Sequence, residues 1–242
     1  MLDSVTKKRI DDLRNILVGK IPSPQSQVEQ ITTGLIYKFM YDLDVEAVEM
    51  GGLPSFFVDD YEKYSWRHLF DPKIGGADKV QLYSEAIEGM YTNPTAPALF
   101  REIFKNAFLP FKDPSTLNMF LKEINEFHYS HSEKLGDAFE YLLSFMGSQG
   151  DAGQFRTPRH IIDFIVEIVN PQKNETILDP ACGTAGFLIS SYKHILSQNT
   201  DKKLGDRLNA SDRKELGDNL VGYDISPEMT RISLVNMYLH QF

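Results

Sequence analysis

The sequence predicts an α/β chain in two parts, a helical domain over residues 1–148 followed by a parallel-sheet region over 149–242. Three observations carry that prediction. Apolar residues recur at helical spacing through the first part. Beyond about residue 150, short apolar runs that end in an acid alternate with helical stretches in the order helix, strand, helix, strand, helix, the signature of a parallel sheet. With 242 residues, 42% hydrophobic and 24% charged, the chain has enough apolar material for packed cores and is neither a disordered tail, a collagen-like chain nor a coiled coil.

The elements follow in chain order. Ile10, Leu13, Ile16 and Leu17 mark a first helix, which Pro22 and Pro24 end. Val28, Ile31, Leu35, Ile36, Phe39 and Met40 give a longer helix over about 26–42. Residues 51–78 are punctuated by Gly and Pro and read as irregular. Helices are expected at about 78–91, 96–107 and 134–147, the last from Leu135, Ala138, Phe139, Leu142 and Leu143. These stripes read as core packing. In the second part, the segment GDAGQFRTPRH leads into a helix over about 158–169. A short strand at Thr176-Ile177-Leu178 runs out at Asp179-Pro180, and a glycine turn opens a helix from Phe187 to Ser197. Residues 199–219 are polar and read as a surface insertion. A second strand from Asn219 to Tyr223 ends at Asp224, and a last helix runs from Pro227 to Gln241.

Charge and cysteine content narrow the function classes. The net charge is −9, from 25 Lys and Arg against 34 Asp and Glu, and the first 150 residues alone carry 15 against 22. Phosphate binding needs clustered cations, so the chain by itself is a poor non-specific DNA binder, although other members of a complex could supply the basic surface. A single cysteine, Cys182, excludes a disulfide framework and a Cys-rich zinc site. No run approaches the ~18–20 apolar residues of a membrane span. The start, MLDSVTKKRI, lacks the apolar core of a signal peptide, so no membrane association and a cytoplasmic location are expected.

Three motifs carry candidate chemistry. In ETILDPACGTAGF, residues 175–187, a strand ends at Asp179 and a turn with Gly183 and Gly186 opens a helix. Glycine allows close backbone approach, and a helix start presents N–H groups, so the turn suits a polar small molecule at the carboxyl ends of a parallel sheet. A tight turn without ligand fits the same residues, and the dinucleotide fingerprint GxGxxG is absent. At the end of the next strand, Asp224 can accept both hydroxyls of a ribose or can cap the helix at Pro227, as can Ser226. The 45 residues from Asp179 to Asp224 exceed the ~20 of a minimal unit by the polar insertion. The third motif is Gly153 to Arg159, in which Thr157 suits an N-cap and Pro158 a first helical residue.

In this order, GQFRTPRHIIDFI, ILDPACGTAGFL and GYDISPEMTRISLVNMYLH resemble the S-adenosylmethionine-dependent DNA adenine-N6 methyltransferases, specifically the modification subunit of Type I restriction–modification systems. LGDAFEYLLSFM, residues 135–146, is similar to the family's lead-in helix, and the resemblance is specific from about residue 132 onward. It implies an N-terminal helical domain followed by the first part of a Rossmann-like methyltransferase domain, with S-adenosyl-L-methionine as cofactor. By position, Gln154, Phe155, Arg156, Thr157, Pro158 and Arg159 would close over the methionine end. Thr184, Ala185 and Gly186 would wrap the methionine and sugar, and Asp224 would accept the ribose. Asp179 and Gly183 would shape the turn, with the acid facing the cofactor's amino group directly or through water. Two departures are visible. Asp224 stands where glutamate is common, and Ala185 fills a slot often held by glycine, which is tolerable provided φ is negative there. Implied partners are a DNA-specificity subunit, a restriction subunit and double-stranded DNA in the assembled complex.

Adenine-N6 chemistry in this family also uses an Asn-Pro-Pro-Phe segment, which aims the extruded amine at the methyl group. It is expected beyond Phe242, so no catalytic residue is assigned and the chain alone is expected to be inactive. Asn93-Pro94-Thr95-Ala96 lacks the second proline and the aromatic, and reads as a loop start. His128 and His131, near Glu126 and Glu133, are too site-poor for a metal centre, and no metal is expected. Cys182 reads as a small packing residue. Trp66 with Tyr61 and Tyr64 reads as core or interface. Two other classes stay open: a helical interaction scaffold with a vestigial cofactor fold, and a methyltransferase acting on RNA or protein.

Overall fold

The computed structural model describes residues 3–127, 132–146 and 157–240. It divides into two compact units, Met1–Gln149 and Gly150–Phe242.

The first unit is built from helices α1 (Ser4–Leu17), α2 (Pro24–Glu49), α3 (Trp66–Leu69), α4 (Gly76–Gly89), α5 (Ala98–Ile103), α6 (Pro114–Asn125) and α7 (Ser132–Ser144). Helices α2 and α6 start with one device, a short polar side chain followed by proline. Ser23 precedes Pro24 and accepts the Ser26 N–H at 3.0 Å. Asp113 precedes Pro114 and accepts the Thr116 N–H at 3.1 Å. Helix α2 runs longer than the 26–42 predicted and α5 is shorter than 96–107. Helix α6 is absent from the sequence reading, and residues 51–78 are not wholly irregular, since a 3-10 turn (Asp59–Tyr64) and α3 lie within them.

The centre of this unit is the ring of Tyr37 on α2. It makes edge contacts with Phe57, Tyr83 and Phe104 at 5.3, 5.8 and 6.0 Å and a tilted one with Trp66 at 6.3 Å. Its hydroxyl donates to the Tyr64 carbonyl, and burial pushes its pKa well up. Trp66 is buried with its indole N–H on Asn125 at 2.8 Å, so it belongs to the core. Gly34 lets α2 approach α6, because a Cβ there would meet Ile124 Cδ1 at 2.3 Å. Buried Asp44 organises the irregular segment, its two oxygens accepting the N–H groups of Ser55, Phe56 and Phe57 at 2.6 to 3.1 Å. Asn93, also fully buried, donates to Phe56 O at 2.8 Å and accepts from Thr95. Its amide is therefore committed to holding the loop, as its reading as a loop start requires.

The second unit holds the strands. Strands β1 (Ile177–Asp179) and β2 (Leu220–Gly222) pair in parallel, with Leu178 opposite Val221 and Asp179 opposite Gly222. Helices α8 (Arg159–Val169), α9 (Gly186–Gln198), α10 (Ala210–Asn219) and α11 (Pro227–Leu239) complete it. The expected polar insertion at 199–219 therefore ends in a helix: Asn209 and Asp212 form a reciprocal capping box at its start. Ahead of it, Asp206 accepts the N–H groups of Lys203, Lys202 and Asp201, which together pull its pKa down to about 2. Among the described residues no helix is long and apolar enough to cross a membrane. The core gathers Leu188, Ile189 and Ile195 of α9 with Leu216 and Leu220. On α8, Phe164, Ile168 and Val169 stay 59, 67 and 70% exposed, and β1 adds Leu178 at 57%.

Asp44 offers a test of the first unit. Asp44→Ala leaves three N–H groups, two of them on buried residues, without their acceptor and is expected to lower unfolding stability by about 2–4 kcal/mol, measured by urea denaturation.

Candidate cofactor site

The site is built where β1 and β2 end. Past β1, residues 180–185 turn sharply into α9, and two residues of that turn are left-handed, Gly183 at φ +53° and Ala185 at φ +63°. The condition set for Ala185, a negative φ, is not met. The residue sits at the N-cap of α9, where the chain must reverse into the helix, and its methyl is fully buried. A left-handed alanine costs roughly 1–2 kcal/mol, so the fold must hold this conformation from outside.

It does so residue by residue. The Cys182 N–H donates to Tyr223 O at 2.8 Å, and the Ala185 N–H donates back to Cys182 O at 2.8 Å. The Gly183 N–H donates to Asp224 Oδ2 at 3.0 Å. The Thr184 carbonyl accepts from Asn236 Nδ2 at 2.8 Å, and the Gly186 carbonyl from Arg159 Nη1 at 3.1 Å. Beneath the turn, Gly222 of β2 provides the clearance. A Cβ there would lie 2.9 Å from Leu188 Cδ1 and 3.1 Å from Cys182 Sγ. Burial, followed by the nearby Asp179 and Asp224 carboxylates, pushes the Cys182 thiol above its usual pKa. The structure therefore makes Cys182 a packing residue.

Asp224 spends Oδ2 on the Gly183 N–H and Oδ1 on the Ser226 N–H at 2.8 Å. A carboxylate has about four acceptor sites, so capacity remains on this half-buried group. It is not the cap of α11: Ser226 is, accepting the Met229 N–H at 3.2 Å. Asp179 accepts the Ala181 N–H at 3.1 Å. It also borders an apolar groove of about 290 Å3 among α8, β1 and α9, lined by Ile165, Val169, Leu178 and Phe187. No side chain caps the start of α9, so its first N–H groups suit a polar or anionic ligand group.

The sequence-predicted site residues divide accordingly. Gly183, Thr184, Ala185, Gly186, Asp224 and Arg159 meet at the turn, through the bonds above. Thr157 does not cap α8 and Pro158 is not its first helical residue. Pro158 is extended, at ψ 138°, and occupies the cap position itself, so the helix starts at Arg159 without a side-chain cap. Gln154, Phe155 and Arg156 lie outside the described residues, as do His128 and His131. Among the described residues no group of three or more His, Cys, Asp or Glu could hold a metal ion. The sequence reading gave no role to Asn236, nor to Asp163, which accepts Ser190 Oγ at 2.5 Å between α8 and α9. A buried Asn among the apolar residues of α11 was the available signal. Another Asn-Pro pair, Asn170-Pro171, closes α8 in a left-handed cap, with the Asn170 side chain bonded to His194 and Gln198.

Residues 130–242 match the family described as N-6 DNA Methylase. The chain as a whole is similar to type I restriction methylase subunits. It is 27% identical over 223 residues to the EcoEI methylase subunit of Escherichia coli, covering 85% of this chain and 43% of that protein. It is 28% identical over 243 residues to the StySPI methylase subunit of Salmonella potsdam, covering 96% and 42%. A solved chain from work on complex assembly and conformational transition of the type I R-M system superposes with a TM-score of 0.73 at 22% identity, covering 98% of this chain and 48% of that one. The resemblance carried by the three motifs therefore holds, as does the mostly helical fold with a small parallel sheet. The chain spans less than half the length of these relatives.

The clearance under the turn is testable. Gly222→Ala should push its new methyl into Leu188 and Cys182 and cost about 1–3 kcal/mol, read from the thermal or urea unfolding of the chain.

Proposed function

We propose that residues 149–242 form the opening part of a Rossmann-like, S-adenosyl-L-methionine-binding methyltransferase domain, and that 1–148 are its helical companion. In the whole protein this domain would methylate adenine N6 in duplex DNA, at sites chosen by a separate DNA-specificity subunit and alongside a restriction subunit. The observation that carries the cofactor reading is the turn itself: two left-handed residues and an uncapped helix start, bonded to a carboxylate at the end of the neighbouring strand. This is the crevice at the carboxyl ends of parallel strands where such folds take nucleosides.

The residues fit the cofactor chemically. Asp224 would accept the ribose hydroxyls with the acceptor capacity left after its two backbone bonds. Thr184, Ala185 and Gly186 would present backbone to the methionine end, where the start of α9 favours a carboxylate. Gln154 to Arg159 would close over that end, with Arg159 anchored on the Gly186 carbonyl. Asp179 would face the amino group. The cofactor, when bound, supplies an activated methyl on a sulfonium. The protein's part is to hold the sugar and amino-acid ends so that this methyl points one way, and to shield it from water. The net negative charge supports leaving most phosphate contacts to other subunits.

The sequence contains no Asn-Pro-Pro-Phe segment, and the amide of Asn93 is spent inside its own loop. The chain alone should therefore bind cofactor but transfer no methyl group. Calorimetry with S-adenosylmethionine tests the first half: Asp224→Ala should weaken binding about 10- to 100-fold, since charge-assisted hydrogen bonds contribute ~1.5–3 kcal/mol. Equal affinities would remove Asp224 from the site. Radiolabelled methyl transfer to adenine-rich duplex tests the second half, and N6-methyladenine made by the pure chain would overturn it.

A further inference from the structure

We propose that Asn236 is the positioning residue that keeps the 182–186 turn in its cofactor-accepting shape by fixing the peptide plane between Thr184 and Ala185. The proposal rests on the cofactor reading above. Asn236 lies on α11, is fully buried, and is 52 residues away in sequence from the carbonyl it holds. That carbonyl is the one whose orientation decides φ at residue 185. Rotating the 184–185 peptide plane changes ψ of Thr184 and φ of Ala185 together and leaves the rest of the chain in place. Ala185 stands at φ +63°, a conformation that an L-residue with a Cβ leaves when it can. The plane rotation is therefore the softest way for the turn to relax. The bond from Asn236 Nδ2 to Thr184 O, 2.8 Å long and shielded from water, opposes that rotation directly.

Within the turn itself the Ala185 N–H of the same peptide donates to Cys182 O at 2.8 Å, and Asn236 adds the hold on its carbonyl from a separate element. Asp224 holds the N–H of Gly183, Tyr223 the N–H of Cys182, and Arg159 the carbonyl of Gly186, so each fixes a different peptide. Only a donor can face Thr184 O, which makes the amide orientation of Asn236 unambiguous. A glycine at 185 would adopt the same φ without strain. Asn236 and the residue type at 185 should therefore be energetically coupled: with alanine there, the amide is needed, and with glycine it is nearly dispensable. The turn would then be shaped for the methionine end of the ligand by α11, while the ribose contact at Asp224 is independent of it.

The test is a double-mutant cycle on the full 242-residue chain, with S-adenosylmethionine and adenosine as separate calorimetric probes. Asn236→Ala should weaken S-adenosylmethionine about tenfold, the effect of losing one buried hydrogen bond, and leave adenosine within about twofold. In an Ala185→Gly background the same substitution should cost less than about threefold, a coupling that independent sites do not show. Asn236→Asp covers the case in which the alanine variant does not fold. Its carboxyl should donate to Thr184 O when protonated and repel it when ionised, so S-adenosylmethionine affinity should recover as pH falls from about 7.5 to about 5.5, where a buried acid with a raised pKa takes its proton. Equal wild-type and Asn236→Ala affinities for S-adenosylmethionine would overturn the proposal. So would an equal loss of both probes with no relief from Ala185→Gly, which would mark Asn236 as a packing residue. A wild-type chain that binds neither probe would instead refute the cofactor reading, and the proposal with it.

Discussion

The second unit depends on one hydrogen bond, from the Gly183 N–H to the Asp224 carboxylate. It joins the segments that leave the ends of two neighbouring strands, and through Oδ1 the same carboxylate also receives the N–H that opens α11. One side chain thereby fixes where β1 hands over to α9 and where β2 hands over to α11. The glycine at 222 follows from this closeness. The turn that Asp224 draws in brings Cys182 onto β2, and no side chain fits between them. The raised pKa of Cys182 follows as well, because a thiol pressed into that space shares it with two carboxylates. The price of the geometry is a left-handed alanine, which the surrounding bonds must hold.

The two units manage their polar groups in contrasting ways. The first buries polar side chains to organise irregular backbone, with Asp44 and Asn93 together tying residues 55–57 and 93–95 to the helices. Its aromatic centre around Tyr37 needs that loop in place, because Phe57 supplies one of its rings. The second unit places its buried polar groups around a single turn and leaves the apolar side of α8 largely in water. A two-stranded sheet beside such a helix has little area with which to cover it.

Much of this was legible in the sequence. Short apolar runs ending in Asp179 and Asp224 located both strands, since an acid at a strand end resists burial. The helix at 227 announced itself through Ser226 and Pro227, whereas Pro24, read as ending the first helix, in fact opens α2 behind Ser23. Helix α6 carries a helical stripe of its own in Leu117, Phe120, Leu121 and Ile124, which the sequence reading left out. Helix α10 was missed because its stability comes from the capping box and an ion pair between Lys173 and Asp212, at 2.9 Å, and it has little apolar stripe. At the site, residue types were readable but torsions were not. Nothing local says that Ala185 is left-handed, and one of the bonds on the peptide before it comes from 52 residues later.

That separation has a consequence for how the chain is made. The braces of the turn, Asp224 and Asn236, are 41 and 52 residues downstream of the groups they hold. At synthesis rates of about 5–20 residues per second, the ribosome finishes the turn roughly 3–10 s before the last brace exists. During that interval the turn lacks both bonds, and the first unit, already synthesised, can fold without waiting. The 182–186 turn cannot receive all of its braces until α11 has been made, so its order waits on that helix.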